Sequence, residues 1–485
     1  MLQDLQHCFI SQKEVEHIHE MSLRVLDEIG VAFEHQEVLE LFKKHGARVD
    51  GDKVYLSRAM VEEALKTVPR NFEVYGRGSS VFIGPDREDP FPVMANSAGL
   101  VTYIETDNTV HKANVWDAIK YHKLTQTSEV LQMSKASSID YPGLGKDDEN
   151  KILKQYAIQL KYSDKPIASA LRTNPHNVGK GRIKDGVLAS YDLIKRFYDI
   201  WDKYVVLEVV CPLSPLSNNY ECLENVLGAA EGGQPITICT CSMTNVTSPP
   251  TLLGTIIQDN ASILAMTVLI QLINPGNPIV YCSLSAPSDM RTVQLSIGAS
   301  ESFLLAMATM GMARYYGMPA RPIGAYSDAV DVDYQCGAES MMTGMAAILT
   351  RADQLTHAIG TLGSFNYGSF EKFVLDEEVL LYLKRLQQGI DFSEGKECFD
   401  LMKEIGPRGS YIQRRTPKAY RQEHYLSKLF HRAGSGITIR DQVGTLRERA
   451  TAEVNRRLAE YTLPETTAAQ DQILKDVLVN LDYDI

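Results

Sequence analysis

Residues 321–370, RPIGAYSDAVDVDYQCGAESMMTGMAAILTRADQLTHAIGTLGSFNYGSF, gather polar and aromatic side chains at two strand-like ends with one helical pattern between them. The spacing predicts a strand over 320–326, a turn holding Ser327 and Asp328, a helix over 331–350 and a strand over 354–361. A glycine-containing loop with Phe365, Tyr367 and Phe370 follows. This is one β/α unit and the start of the next.

The unit repeats on the N-terminal side. Apolar strands are expected at 92–97, 129–137, 165–171, 204–211, 235–242 and 278–284, and the helices after the strands begin near 113, 147, 177, 219, 250, 292, 331 and 370. Strand–helix pairs in this alternation indicate the α/β class and a (β/α)8 TIM barrel. Unbroken apolar runs such as YVVLEVV (204–210) and NPIVYCSL (277–284) suit strands covered on both faces. An open doubly wound sheet is the alternative, and the first strand–helix turn lacks the GxGxxG fingerprint such sheets use for dinucleotides. Amphipathic helices are expected over 12–70, where Val15, Ile18, Leu23, Leu26 and Ile29 recur at helical spacing. Short β runs broken by Gly, Pro and Asp fill 71–110. The expected organisation is an N-terminal helical and β-meander extension (1–90), the barrel (91–389) and a helical C-terminal tail packed on it (390–485), with a basic segment at 408–418.

A chain of 485 residues buries a sizeable core, and 44% hydrophobic with 23% charged residues is ordinary for a globular protein. A formal charge of −12 argues against nucleic acid as a partner. The N-terminal MLQDLQHCFISQKEVEHIHE has no basic region followed by an apolar core, which points to the cytoplasm. The most apolar segment, 261–273, is shorter than the roughly 20 residues a bilayer span needs, so a buried helix and no membrane are expected. The eight cysteines lack CxxC spacing and read as reduced core residues. Cys239 and Cys241, two apart in a strand, point to one face; packing is preferred there over a soft metal, and no tightly bound metal is expected.

In a barrel the active site lies at the C-terminal ends of the strands. That rule selects Asn96 and Ser97, Ser137 and Ser138, Arg172 and Asn174, Cys211 and Ser214, Ser242 and Asn245, Ser285 and Asp289, Tyr326 and Asp328, and His357 with Gly360 and Gly363. The set contains no GxSxG elbow, P-loop or HExxH motif, and no lysine at a drawn strand end. Aromatic residues are better represented: Tyr103, Tyr141, Tyr326, Tyr334, Phe365, Tyr367 and Phe370 fall near strand ends or the loops beyond. Jointly they suit a cage for a quaternary ammonium group, each ring face contributing ~0.5–2 kcal/mol, although any one of them alone reads as packing. Gln335 and Glu339 share a helix face, Asp328 reads equally as a helix N-cap or a functional carboxylate, and His357 as a core histidine or a ligand-facing one.

The stretches INPGNPIVYCSL (273–284), SDMRTVQLSIGASE (288–301), ARYYGMPARPIGAYSDAVDVDYQCGAES (313–340), SFEKFVLDEEVL (369–380) and EIGPRGSYI (404–412) resemble the trimethylamine methyltransferase superfamily, specifically members without pyrrolysine. The opening MSLRVLDEIGVAFEHQEVLELFKKHGARVDG (21–51) and VPRNFEVYGR (68–77) resemble it as well, so the likeness runs over nearly the whole chain. The resemblance implies a barrel that passes a methyl group from a quaternary amine, such as glycine betaine, proline betaine or carnitine, to the Co(I) corrinoid (cobalamin) of a cognate corrinoid protein. It carries Asp328, Gln335 and Glu339 over as matches. Three positions depart from the pattern: Val330 stands where a lysine is common, Cys336 where alanine is, and Arg415 where a histidine is frequent.

Under that resemblance Asp328, His357 and Glu339 are the expected catalytic residues. Tyr103, Tyr326, Tyr334, Phe365 and Phe370 would surround the ammonium, and Arg172 or Arg291 would hold a betaine carboxylate. Asn96, Ser97, Gly99, Gln335 and Gly363 would face the corrinoid. A Schiff-base lyase or aldolase and a non-catalytic betaine-binding protein are the alternatives, and a homo-oligomer is expected from the frequency of closed symmetry.

Overall fold

The computed structural model describes residues 9–97, 100, 102–105, 107, 109–136, 151–168, 181–412, 415–432 and 443–478. Gly99 and Arg172, with Ser137, Ser138, Tyr141 and Asn174, lie outside the described residues.

The fold is α/β, built on a curled parallel sheet. Ile167–Ala168, Val206–Val210, Ile236–Thr240, Ile279–Ser283 and Ala320–Arg321 pair in parallel in that order. At one side Ser134 bridges to Ile167 and Met133 to Ala95, both in parallel. At the other, Asp353 N donates to Ala320 O (3.0 Å), and Gln354–Thr356 pairs in parallel with Val93–Ala95. Ile236–Thr240 and Ile279–Ser283 are buried at every position, as strands covered on both faces must be.

Several of the following helices have a start fixed by a polar cap. Asn114 caps Val115–Gln126, Asn219 caps Tyr220–Glu231, Thr251 caps Leu252–Ile273 and Ser369 caps Phe370–Gln388. Three starts differ from expectation, and the first is the helix expected near 177, which begins at Ile183. The helix expected near 292 begins at Ser300, because Ala286–Asp289 first pairs antiparallel with Gln294–Leu295. The helix expected at 331 is Tyr334–Leu349, and its N-cap is Asp333, whose Oδ1 accepts from Cys336 N at 2.9 Å, rather than Asp328.

The apolar segment expected over 261–273 is the last part of the 22-residue helix Leu252–Ile273. By length and composition this helix is able to cross a membrane, yet 78% of its most apolar stretch is buried inside the protein. It packs against the N-terminal helices Gln12–Arg24 and Arg58–Thr67.

The interior of the sheet has two tiers. Near the N-terminal ends of the strands, Met133, Ala168, Leu207 and Val280 pack with Phe72, Val74, Val81 and Ile83 of a hairpin formed by Phe72–Tyr75 and Ser80–Ile83. Tyr75 N donates to Tyr204 O (2.8 Å), tying this hairpin across the lower opening. The second tier, toward the C-terminal ends, is polar and is described below. At the C-terminal side of the chain Leu446–Glu460 packs on Phe370–Gln388, where buried Arg457 pairs with Glu377. Between them, from 388 to 428, no described residue is buried.

Candidate active site

Strand period two decides what enters the second tier. The strands expected at 129–137 and 320–326 are shorter in the structure, with bridges at Met133 and Ser134 and a strand at Ala320–Arg321. Alternation from these pairs sets Met133 and Arg321 toward the interior, and Lys135 follows two residues after Met133. Lys135 and Arg321 are each 1% exposed. Lys135 Nζ lies 3.1 Å from His357 Nε2. Burial, reinforced by the nearby Arg321 charge, pulls the Lys135 ammonium down to about 7. Burial also holds His357 well below the usual imidazole range, with repulsion from Lys135 and Arg321 added, so the ring is neutral. It then accepts from Lys135, while its Nδ1 has no hydrogen-bond partner. Two guanidinium atoms of Arg321, Nε and Nη1, are likewise buried without a partner.

Thiols complete this tier. Cys239 and Cys241 do share a face, with Sγ atoms 3.9 Å apart, and together with Cys211 their sulfurs all lie within 4.8 Å of one another. Cys282 sits beside Cys239 in the parallel register. A second group with ligand spacing, Glu105, His111 and Asp117, is tied internally: His111 Nε2 is 3.0 Å from Glu105 Oε1.

Above the charged tier stand Tyr326 and Phe365, in edge contact at 4.9 Å between ring centroids, and Phe365 is 5.7 Å from the His357 ring. Tyr326 donates to Thr356 O (2.8 Å). The strand expected to run through His357 ends at Thr356 instead, and His357 has φ +61°; Ala325, Ser364 and Phe365 also have positive φ. Such backbone costs of order 1 kcal/mol or more per residue and tends to gather at functional sites.

Asp328 and Glu339 form a knot beside this wall. Asp328 Oδ1 and Oδ2 accept from Ile297 N (2.9 Å) and Gly298 N (3.0 Å), and Ser364 Oγ donates to Oδ1 as well. Glu339 Oε2 accepts from Ser327 Oγ and Asp328 N, both at 2.8 Å, while Gln335 Nε2 donates to Oε1 at 2.8 Å. Three loops beyond strand ends are thereby joined. A Cβ on Gly298 would meet Glu339 Oε2 at 2.4 Å, so the close approach requires glycine. Burial pushes the Asp328 carboxyl up, against the donors from Ser364 and Gly298.

The other expected site residues are distributed. Tyr103 stacks on Phe370 (5.0 Å) in a separate buried aromatic group with Tyr121 and Phe373, away from the Tyr326–Phe365 pair. Asn96 accepts from Lys135 N (2.6 Å) and Ser97 donates to Ile359 O (2.8 Å), so both splice neighbouring strand ends. Gly363 N donates to Ala329 O (2.8 Å). Tyr334 is 92% exposed, and the side chain of Arg291 is 89% exposed and paired with Asp289 at 2.6 Å. The structure thus brings together His357, Tyr326 and Phe365, with Asp328, Glu339, Gln335 and Gly363 adjoining.

Sequence reasoning missed Lys135 and Arg321. The expectation that no lysine lies at a strand end is overturned by Lys135, and the usable signal was a charged residue at an alternate position of an otherwise apolar strand.

Along the sequence, the family model described as Trimethylamine methyltransferase matches residues 4–480. The chain belongs to this family. Among curated relatives of this family member, the proline betaine:corrinoid methyltransferase of Eubacterium limosum is 45% identical, covering 97% of both chains. The L-carnitine:corrinoid methyltransferase of the same organism is 40% identical, covering 98% of this chain and 97% of the relative. The glycine betaine methyltransferase of Desulfitobacterium hafniense (strain Y51) is 33% identical, covering 94% and 93%. Among solved structures, the monomethylamine methyltransferase of Methanosarcina barkeri matches with a TM-score of 0.50 at 11% identity, covering 96% of this chain and 95% of that one. At that identity the likeness speaks for the fold.

Proposed function

We propose that this chain is a methyltransferase that takes a methyl group from a small quaternary amine of the betaine or carnitine kind and passes it to the corrinoid of a partner protein. The observation that carries the reading is end-to-end similarity to three curated methyltransferases, two of them named for a corrinoid. The interior agrees with it. The amine is already cationic, and the corrinoid, when present, supplies the nucleophile as reduced cobalt. The chain's own part is to bind the amine, aim one N-methyl carbon outward and exclude water. Tyr326 and Phe365 offer ring faces to the ammonium. Asp328 and Glu339 are positioning residues that hold the three loops around it, and Asn96 and Ser97 fix the neighbouring strand ends.

The eight parallel segments are read as the staves of a closed (β/α)8 barrel with its mouth at their C-terminal ends, set between an N-terminal part (1–90) and a C-terminal one (390–485). The loops at that mouth expose Leu213, Val246, Met290, Val293, Val330 and Tyr334, an apolar rim suited to a docked corrinoid protein. The 388–428 segment, with Ile390, Phe392, Phe399, Ile412 and Leu426 exposed, is assigned to contacts between copies of the chain.

Purified protein incubated with a reduced corrinoid protein and glycine betaine, proline betaine or carnitine is expected to convert the Co(I) spectrum to that of methyl-Co(III). No conversion with any of the three would overturn the reading. Lys135 is the one observation favouring Schiff-base chemistry, and borohydride treatment with a panel of aldehydes and ketones is expected to leave the protein's mass unchanged.

A further inference from the structure

We infer that Arg321 and Lys135 form a carboxylate-binding site in the second tier of the interior, so that the substrate is a zwitterion held with its carboxylate inward and its methylated nitrogen toward the mouth. This rests on the function proposed above, and it moves the carboxylate contact away from the exposed Arg291.

The charge balance of the interior carries the argument. Other buried or half-buried cations, Lys372, Arg314 and Lys165 among them, have partners, whereas Arg77 also leaves Nη1 and Nη2 buried without a hydrogen-bond partner. Lys372 Nζ is 2.7 Å from Asp376, Arg314 is 2.6 Å from Asp353, and Lys165 donates to the carbonyls of Thr125, Ser128 and Leu131. Arg321 leaves Nε and Nη1 unpartnered, and Lys135 faces a neutral imidazole. Among the described residues no Asp or Glu is ion-paired with either. The thiols of Cys211, Cys239 and Cys282 are the neighbouring groups; burial pushes the Cys282 thiol up, but the hydrogen bond with Cys239 and the Arg321 and Lys135 charges outweigh it and hold it below its ordinary range. Two buried cations with no carboxylate paired to them among the described residues are costly, and a fork of free N–H donors is the geometry a carboxylate accepts.

The direction of the chain supplies the second half. From Arg321 to Tyr326 the polypeptide runs toward the C-terminal end of the sheet, so the Tyr326–Phe365 ring pair lies above the cations. An interior with positive charge below and ring faces above matches a molecule with carboxylate at one end and trimethylammonium at the other. It disfavours a simple cation such as choline, whose charge would meet only repulsion below.

The test compares ligands first. By titration calorimetry on the full-length wild-type chain, glycine betaine, proline betaine and carnitine are each measured against their own methyl esters and against choline. The tightest acid is expected to bind at least about 30-fold more strongly than its ester, the loss of a charged hydrogen-bonded pair. Binding of acid and ester within about threefold of each other, or no binding of any acid, overturns the site. Arg321→Gln is expected to remove this preference, lowering acid affinity and raising that of the cationic ester, with Arg321→Lys restoring part of the preference. Should the Gln variant fail to fold by circular dichroism, the ligand comparison decides alone. Tight, ester-sensitive binding without methyl transfer would sink the proposed function and leave the carboxylate site standing. Methyl transfer with no ester discrimination would do the reverse.

Discussion

Lys135 is fully buried, and with its ammonium pulled down to about 7 it changes charge within the working range of pH. In the ligand-free protein the cost of keeping it charged is fully present below about 7 and disappears as pH rises toward its unfolded value near 10.4, so this residue makes folding more favourable with rising pH across that window. A bound carboxylate stabilises the ammonium and raises its pKa, so binding takes up a proton above pH 7. Affinity for the tightest-binding betaine should therefore fall between pH 7 and 9 by up to about tenfold per unit, while its methyl ester shows no such fall; calorimetry at successive pH values reads both. His357→Ala removes the acceptor of Lys135 and the edge contact to Phe365, and methyl transfer should drop without loss of fold, measured by turnover beside circular dichroism. The wall-forming residues Tyr326, Phe365 and His357 were legible from strand ends. Lys135 and Arg321 were not, because a sequence gives the alternation of a strand without saying which alternate set faces inward. Tyr103 and Phe370 were grouped with the cage because nearness to a strand end does not specify direction, and both turn to pack against Tyr121 and Phe373.

At the scale of the element, the loops after the strands are held by few side chains, and Asp328 is the most connected of them. Asp328→Ala leaves the N–H groups of Ile297 and Gly298 without acceptors and leaves the Ser364 hydroxyl only Leu295 O. A stability loss of about 2–3 kcal/mol is expected from such unmet donors, together with a larger fall in turnover, because the loop carrying Phe365 loosens. Thermal unfolding and steady-state kinetics on the same sample separate the two. Below the knot, Lys372 and Asp376 are both buried, with Gly360 N donating to Asp376 Oδ2 at 2.8 Å. Lys372→Met should cost about 3–5 kcal/mol, since it strands a buried carboxylate, whose pKa already stands at about 6. That penalty should shrink as pH is lowered and Asp376 takes up a proton. Helix starts were legible where a polar cap precedes an apolar period, as at Asn219 and Ser369. They were missed where a short antiparallel pairing intervened, as at 286–295, or where several acids compete for the cap, as at Asp328, Asp331 and Asp333.

On the scale of the molecule, the 388–428 segment exposes large apolar side chains, with Ile412 91% exposed, and none of its described residues is buried. If copies of the chain cover it, wild type should sediment as an oligomer in analytical ultracentrifugation, and Phe392→Asp with Ile412→Asp should shift it to monomer. The alternation of strand and helix was legible in the described part of the curled sheet, whereas what covers a surface depends on molecules outside the sequence. The hairpin of Phe72–Tyr75 and Ser80–Ile83 has a further bearing on how such an enzyme runs. With its side chains packed under Met133, Leu207 and Val280, the hairpin covers the lower end of the interior among the described residues, so that on the barrel reading proposed above the mouth is the door for substrate. That door is also the face a methyl acceptor has to cover. On that reading turnover is expected to be sequential in a fixed order: amine enters, the corrinoid protein arrives second and departs first, and the demethylated amine leaves last. An excess of corrinoid protein should slow the reaction by sealing the empty or product-loaded chain, and rising amine concentration should relieve only the first of these.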